Sequence, residues 1–185
     1  MNAAAKRLAK VTVPNGPIVA KPFLKFVGGK RKLAERIVAL LFENGRRDTA
    51  TEYFEPFVGG AALFFRLRPA AAVLGDFNAD LMELYGEVAR DPVGLHAAAS
   101  EIFDHHDRNP TVTYYGIREA WNDLRAAWNP TRRAATLLYL NRAGFNGLFR
   151  LNKAGKNNVP IGKPSSVLAA WPSRPSLPRL IAAGS

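Results

Sequence analysis

The chain has no cysteine, two methionines and three histidines, and no acidic residue follows Asp123. Without thiols there is neither a disulfide nor a thiolate metal site, a composition suited to a reducing, cytoplasmic setting. His96, His105 and His106 form no His-x-x-x-His or carboxylate–histidine pattern, so no metal site is expected. No apolar run is long enough to span a bilayer. Met1 to Lys10 is basic and alanine-rich but lacks the apolar centre of a secretion signal.

What is present suits one domain, or a core with a modest insertion. The 185 residues are 48% hydrophobic, enough for a proper core and too apolar for wholesale disorder. The net charge of +11 is unevenly placed: ten of the 26 basic residues follow Asp123, and before it the signs nearly balance. A basic excess concentrated in the final third is a footprint for a polyanion, most often nucleic acid.

Residues 1–20 read as a mobile basic arm, with Pro14, Gly16 and Pro17 opposing regular structure. Lys25-Phe26-Val27-Gly28-Gly29-Lys30 then leads into a helix from Arg31 to Phe42, where Leu33, Ile37, Leu40 and Leu41 recur at helical spacing. Backbone donors and an ammonium at that helix start favour an anionic group. It is not a P-loop, because the first glycine is absent and Arg31 replaces the hydroxyl.

Glu55-Pro56-Phe57-Val58-Gly59-Gly60-Ala61 reads as a strand end, a glycine turn and the start of a helix over Ala61–Leu67. Such a turn lets a ligand approach the backbone closely. Ala70 to Gly75 reads as a second strand ending at Asp76. An acid there, seventeen positions after Gly59, matches the ribose-gripping acid of a Rossmann-like unit. A helix follows, with Asp80 expected as its cap and Asn78 as the other candidate.

Residues 90–140 are predicted to be helical in three stretches: Leu95–Phe103, Tyr115–Trp128 and Arg133–Leu140. Their spaced aromatics are read as core. The texture then changes to asparagine, arginine, glycine and phenylalanine. Asn152-Lys153-Ala154-Gly155-Lys156 reads as a turn joining Leu148–Leu151 to Asn157–Ile161 in a basic hairpin. Such a ribbon fits a DNA major groove, where asparagine can pair bidentately with adenine and Lys or Arg can reach guanine or phosphate. From Pro164 the chain is rich in serine, proline and alanine, and residues 164–185 are expected to be a disordered or out-of-frame tail.

Taken together, these motifs resemble the Dam-type DNA adenine-N6 methyltransferases. The resemblance rests on Lys25 to Lys30, Glu55 to Gly60, Asp76-Phe77-Asn78-Ala79-Asp80-Leu81, Tyr139-Leu140-Asn141-Arg142, Phe145-Asn146-Gly147-Leu148 and Asn158-Val159-Pro160-Ile161-Gly162. It covers about residues 22–163. It implies an α/β fold: a Rossmann-like S-adenosylmethionine-dependent methyltransferase core, incomplete at its C-terminus, with an inserted, mainly helical target-recognition module and β-hairpin. The expected division is 21–88 for the N-terminal part of the core and 89–163 for the recognition module. The cofactor implied is S-adenosyl-L-methionine, held by Phe26, Gly28, Gly29, Lys30, Glu55, Phe57, Gly59, Gly60 and Asp76. The partner implied is double-stranded DNA, typically around GATC, facing Arg142, Asn146, Arg150, Leu151, Asn152, Lys153 and Lys156.

The chain departs from the family at Phe26 for tryptophan, Ala61 for glycine and Leu151 for an aromatic wedge. It has no Pro-Pro pair. The family's Asp-Pro-Pro-Tyr, which accepts hydrogen bonds from the adenine amino group and stacks the flipped base, is therefore missing. Asp91-Pro92, Asn109-Pro110 and Asn129-Pro130 do not replace it. The expectation is a truncated chain with no catalytic residue of its own, inactive unless a fragment supplies the motif. The alternatives are a non-catalytic DNA-binding protein and, less compatible with the absent G-x-G-x-x-G, a dinucleotide enzyme.

Overall fold

A computed structural model of the chain describes residues 9–12, 22–26, 31–42, 53–67, 69 and 71–163. The elements are β1 (Ala9–Thr12), α1 (Arg31–Phe42), β2 (Tyr53–Glu55), α2 (Ala62–Leu67), β3 (Ala71–Leu74), α3 (Ala79–Arg90), α4 (Pro92–Arg108), α5 (Pro110–Leu124) and α6 (Pro130–Ala143). Short 3-10 turns at Arg125–Ala127 and Phe145–Gly147 follow α5 and α6. The architecture is mostly helical with one three-stranded sheet in the order β1-β3-β2. β2 runs parallel to β3, with Glu55 opposite Leu74, and α2 makes the crossover between them.

Four details differ from the sequence reading. Ala9–Thr12, expected in an irregular arm, pairs antiparallel with β3. On α1, Leu33 and Leu40 are exposed, while Ala34 is buried and the helix packs on α2. Its leucine spacing therefore does not mark the face it buries. Asn78, not Asp80, caps α3: its Oδ1 accepts from the Asp80 and Leu81 N–H groups at 3.1 and 3.2 Å. The arms of the predicted hairpin meet at one isolated antiparallel bridge, Leu151 with Asn157, and at an Asn158 N–H to Arg150 O bond of 3.3 Å rather than in a continuous ladder, while Ile161 bridges to Gly144, outside the predicted first arm.

Asp91-Pro92, Asn109-Pro110 and Asn129-Pro130 turn out to be three copies of one device. In each, the Asx side chain accepts from the third helical N–H and the proline occupies the first turn. The fixed φ of proline and its missing donor suit that position. These starts set α4, α5 and α6 in a bundle around α6, whose residues Ala134 to Ala143 are all buried.

The core is continuous. One cluster of buried residues runs from Phe23 and Phe65 beside the sheet, through Leu84 and Tyr85 of α3, to Leu138 and Tyr139 of α6. Polar clamps join the same elements: Arg133 donates to both Glu83 oxygens at 2.5 and 2.7 Å, and Arg125 reaches Asp80 at 3.1 Å.

Candidate cofactor loop and nucleic-acid interface

The glycine loop leaves the C-terminal end of β2, and Asp76 stands just beyond the end of the neighbouring β3. Four backbone hydrogen bonds shape the connection: Gly75 N–H to Glu55 O, Val58 N–H to Gly75 O, both at 2.8 Å, Ala61 N–H to Val58 O at 2.7 Å, and Phe65 N–H to Ala61 O at 3.0 Å. Gly59 has φ +47°, which glycine adopts without strain. Its N–H donates to Asp76 Oδ2 at 2.9 Å, and its carbonyl accepts from the Tyr85 hydroxyl at 2.8 Å. The other Asp76 oxygen accepts from Asn78 N–H at 3.0 Å. The interval between Gly59 and Asp76 is thus a direct contact. Each carboxylate oxygen retains a lone pair for a further donor.

The surroundings are part buried and part open. Glu55 is buried and accepts from the Tyr53 hydroxyl at 2.8 Å. Burial, reinforced by Glu55 and then Asp76, pushes the Tyr85 hydroxyl pKa well above its ordinary value, so it stays a neutral donor. Phe57 is 73% exposed and Phe77 is 99% exposed. These two aromatic faces therefore flank the loop and its acid, uncovered. Phe26, itself half exposed, lies against the glycines: a Cβ on Gly60 would come within 3.0 Å of the Phe26 Cβ. Gly28, Gly29 and Lys30 lie outside the described residues.

The ribbon from Leu148 to Gly162 is seated on α5. Asn122 pairs with both backbone groups of Asn157, donating to its carbonyl at 3.0 Å and accepting from its N–H at 2.7 Å. The Val159 carbonyl accepts from the Tyr114 hydroxyl at 3.1 Å and from Arg118 at 2.9 Å. Tyr114, Arg118 and Asn122 recur every four residues, one stripe of a helix. Sequence reading missed this stripe because an amphipathic pattern weighs apolar residues, and these act through polar tips.

The predicted DNA-facing residues do not all share a surface. Asn146, with φ +54°, Arg150, Leu151, Asn152, Lys153 and Lys156 are exposed. Arg142 is instead buried, and its carbonyl accepts from Lys25 Nζ at 3.0 Å. Burial and then the Arg142 guanidinium hold the Lys25 ammonium pKa below its usual value. Asn152 spends its Oδ1 on the turn, accepting from Ala154 and Lys156 N–H at 2.9 and 3.0 Å. In this conformation it lacks the free acceptor that bidentate adenine pairing needs. Arg150 donates to Asn158 Oδ1 at 2.8 Å, and Lys156 pairs with Asp123 at 2.8 Å. The late basic excess is thus divided: Arg125 and Arg133 clamp α3, while Arg150, Lys153 and Lys156 stay at the surface.

Among the described residues no cluster of His, Asp and Glu could hold a metal, and no helix is long and apolar enough to cross a membrane. A cavity of about 620 Å³ opens between α4, α5 and α6, lined by Ile102, Val112, Ile117 and Trp128 among others, and none of the predicted site residues borders it.

Residues 26–169 match the model of the D12 class N6 adenine-specific DNA methyltransferases. The chain belongs to that family. It is 38% identical over 145 residues to the type II methyltransferase M1.LlaDCHI of Lactococcus lactis subsp. cremoris, covering 77% of this chain and 48% of that protein. It is 37% identical over 142 residues to the DNA adenine methylase of Haemophilus influenzae, with 77% and 47% covered. The DNA adenine methylase of Escherichia coli K12 is also 37% identical, over 143 residues, with 77% and 48% covered. The chain spans about half the length of these relatives.

Proposed function

We propose that this chain holds the methyl donor and reads duplex DNA for adenine-N6 methylation, with S-adenosylmethionine at the glycine loop and DNA along the ribbon. The hydrogen bond from Gly59 N–H to Asp76 carries this reading, because it joins two motifs at adjacent ends of parallel strands. Ligands of open α/β sheets bind in that crevice. The fold we assign is Rossmann-like around β2, α2 and β3. Residues 21–88 serve the donor and 89–163 the target, built on one shared core.

The local chemistry fits the cofactor. Asp76 can accept from ribose hydroxyls with its remaining lone pairs, and the loop amides it organises stay rigid. Phe77 and Phe57 offer uncovered faces to an adenine ring or an aliphatic chain. Phe26 buttresses Gly59 and Gly60, and we retain Gly28, Gly29 and Lys30 for the carboxylate end. Glu55 acts through the Tyr53 and Tyr85 neighbourhood. When bound, S-adenosylmethionine supplies an electrophilic methyl group.

On the DNA side we retain Asn146, Arg150, Leu151, Asn152, Lys153 and Lys156. Arg142 is assigned to supporting the ribbon's neck, and the Asn152 NH2 group to donating rather than bidentate contact. Asp-Pro-Pro-Tyr does not occur in these 185 residues. Binding of donor and duplex is therefore the activity assigned to them, with turnover expected once a fragment carrying that motif is supplied.

The test is calorimetric titration of the chain with S-adenosylmethionine, NAD and a GATC-containing duplex. S-adenosylmethionine should bind and NAD should not. Asp76→Ala should weaken donor binding about 100-fold, from the loss of charge-assisted bonds and loop order. Duplex binding should weaken steeply with salt. NAD binding in place of S-adenosylmethionine, or an Asp76→Ala variant with full donor affinity, would sink the reading.

A further inference from the structure

The donor loop and the DNA ribbon are separate in sequence but joined by one small polar contact. Asn141 is buried near the end of α6. Its Oδ1 accepts from Lys25 N–H at 2.9 Å, and its Nδ2 donates to Lys25 O at 2.7 Å. The amide thus pairs with both backbone groups of one residue, as a neighbouring strand would. The same Nδ2 donates to Gly147 O at 3.0 Å. Gly147 sits at φ +66°, so close that a Cβ there would lie 2.8 Å from the Lys25 carbonyl oxygen. Next to this neck the ribbon closes: Phe145 N–H donates to Pro160 O at 2.9 Å and Gly162 N–H to Ala143 O at 2.7 Å.

The residue after Lys25 touches the other site. Phe26 packs on Gly59 and Gly60, and Gly59 bonds Asp76 through its N–H and Tyr85 through its carbonyl. A shift of the Lys25 backbone carries Phe26 with it, and Gly59 and Gly60 have no side chain to absorb that motion. Close-packed elements pass on such displacements rather than damping them.

We propose that Asn141 is a positioning residue for the donor loop, tying the neck of the DNA ribbon to Gly59 and Gly60 through Lys25 and Phe26, so that donor and duplex strengthen each other's binding. The inference rests on the functional reading above. Asn141 has no direct role at either ligand. Its effect on donor affinity passes through residues 25 and 26, and the enhancement is reciprocal by linkage.

The test uses the full chain, S-adenosylmethionine and a GATC duplex, titrated separately and together, with hydrogen exchange followed at the Lys25, Phe26 and Gly59 amides. In the wild type each ligand should tighten the other about tenfold. Duplex alone should slow exchange at those three amides. Asn141→Leu keeps a similar volume without the amide. It should lose donor affinity about tenfold and bring the enhancement down to one. Asn141→Asp keeps the acceptor for Lys25 N–H but turns an oxygen toward the Lys25 and Gly147 carbonyls, so it should lose at least as much as Asn141→Leu. If Asn141→Leu does not fold, Asn141→Asp and the wild-type exchange data decide the matter.

A wild type that binds neither ligand overturns the functional reading and this inference with it. A wild type that binds both without mutual enhancement, or exchange at those amides that ignores duplex, overturns the inference alone. So does a folded variant whose donor affinity and enhancement stay within about twofold of wild type.

Discussion

Ala61 is fully buried and holds φ +55°, a left-handed backbone that costs a residue with a Cβ about 1–2 kcal/mol. Glycine would remove that strain but give up a buried methyl and gain unfolded-state freedom, so Ala61→Gly should change stability by no more than about 1 kcal/mol. Ala61→Val adds β-branching where there is neither space nor a suitable dihedral. It should destabilise by about 2–4 kcal/mol in urea unfolding. A valine variant as stable as the parent would show that the loop does not hold this geometry. The sequence announces Gly59 and Asp76 well, because a glycine turn and a strand-end acid are local features. It does not announce Asn141, whose partner Lys25 lies 116 residues away. Nor does it choose between Asn78 and Asp80 as the cap. Both can accept from helix N–H groups; in the structure Asn78 takes the extended backbone of a cap, while Asp80 lies inside the first turn and engages Arg125.

At the scale of elements, the three Asx-Pro starts were legible as dipeptides, and their role follows from helix-capping chemistry. The ribbon was legible as a turn but not as a ladder. Its arms take many of their hydrogen bonds from α5, and single-sequence periodicity carries no sign of such a seat. Asn122→Ala leaves the Asn157 N–H and carbonyl without their partner, a loss of about 1–3 kcal/mol for the local seat. Amide exchange at Asn157 should rise roughly 5- to 150-fold by that estimate. Exchange along α6 should stay as it was. Unchanged protection at Asn157 would mean that the seat lies elsewhere.

For the whole molecule, the shared core and the α3–α6 clamps predict one cooperative unfolding transition rather than two. Its pH dependence has a named contributor. His106 is buried, with Nδ1 2.8 Å from the Tyr139 hydroxyl, and its Nε2 has no partner among the described residues. Burial lowers its pKa below 6.5, against a smaller opposing pull from Asp107. The unfolded state therefore takes up this proton first. Stability from the neutral imidazole is complete above pH 6.5 and declines as pH falls through the lower folded value. Glu87 adds a second loss further down: hydrogen bonding from Arg90 holds its pKa below 4.5, so its contribution goes as it protonates. Thermal midpoints should fall between pH 7 and pH 5, and His106→Phe should flatten that slope. An equal slope in the variant would assign the proton to another group.

The seat of the ribbon has a consequence for how this segment changes over time. Tyr114 and Arg118 hold it by the Val159 carbonyl and Asn122 by the Asn157 backbone, while every residue from Arg150 to Lys156 is exposed. Main-chain atoms are the same whatever letter the sequence carries. Apart from Asn152 and Gly155, which shape the turn itself, the tip can therefore accumulate substitutions without loosening its mount.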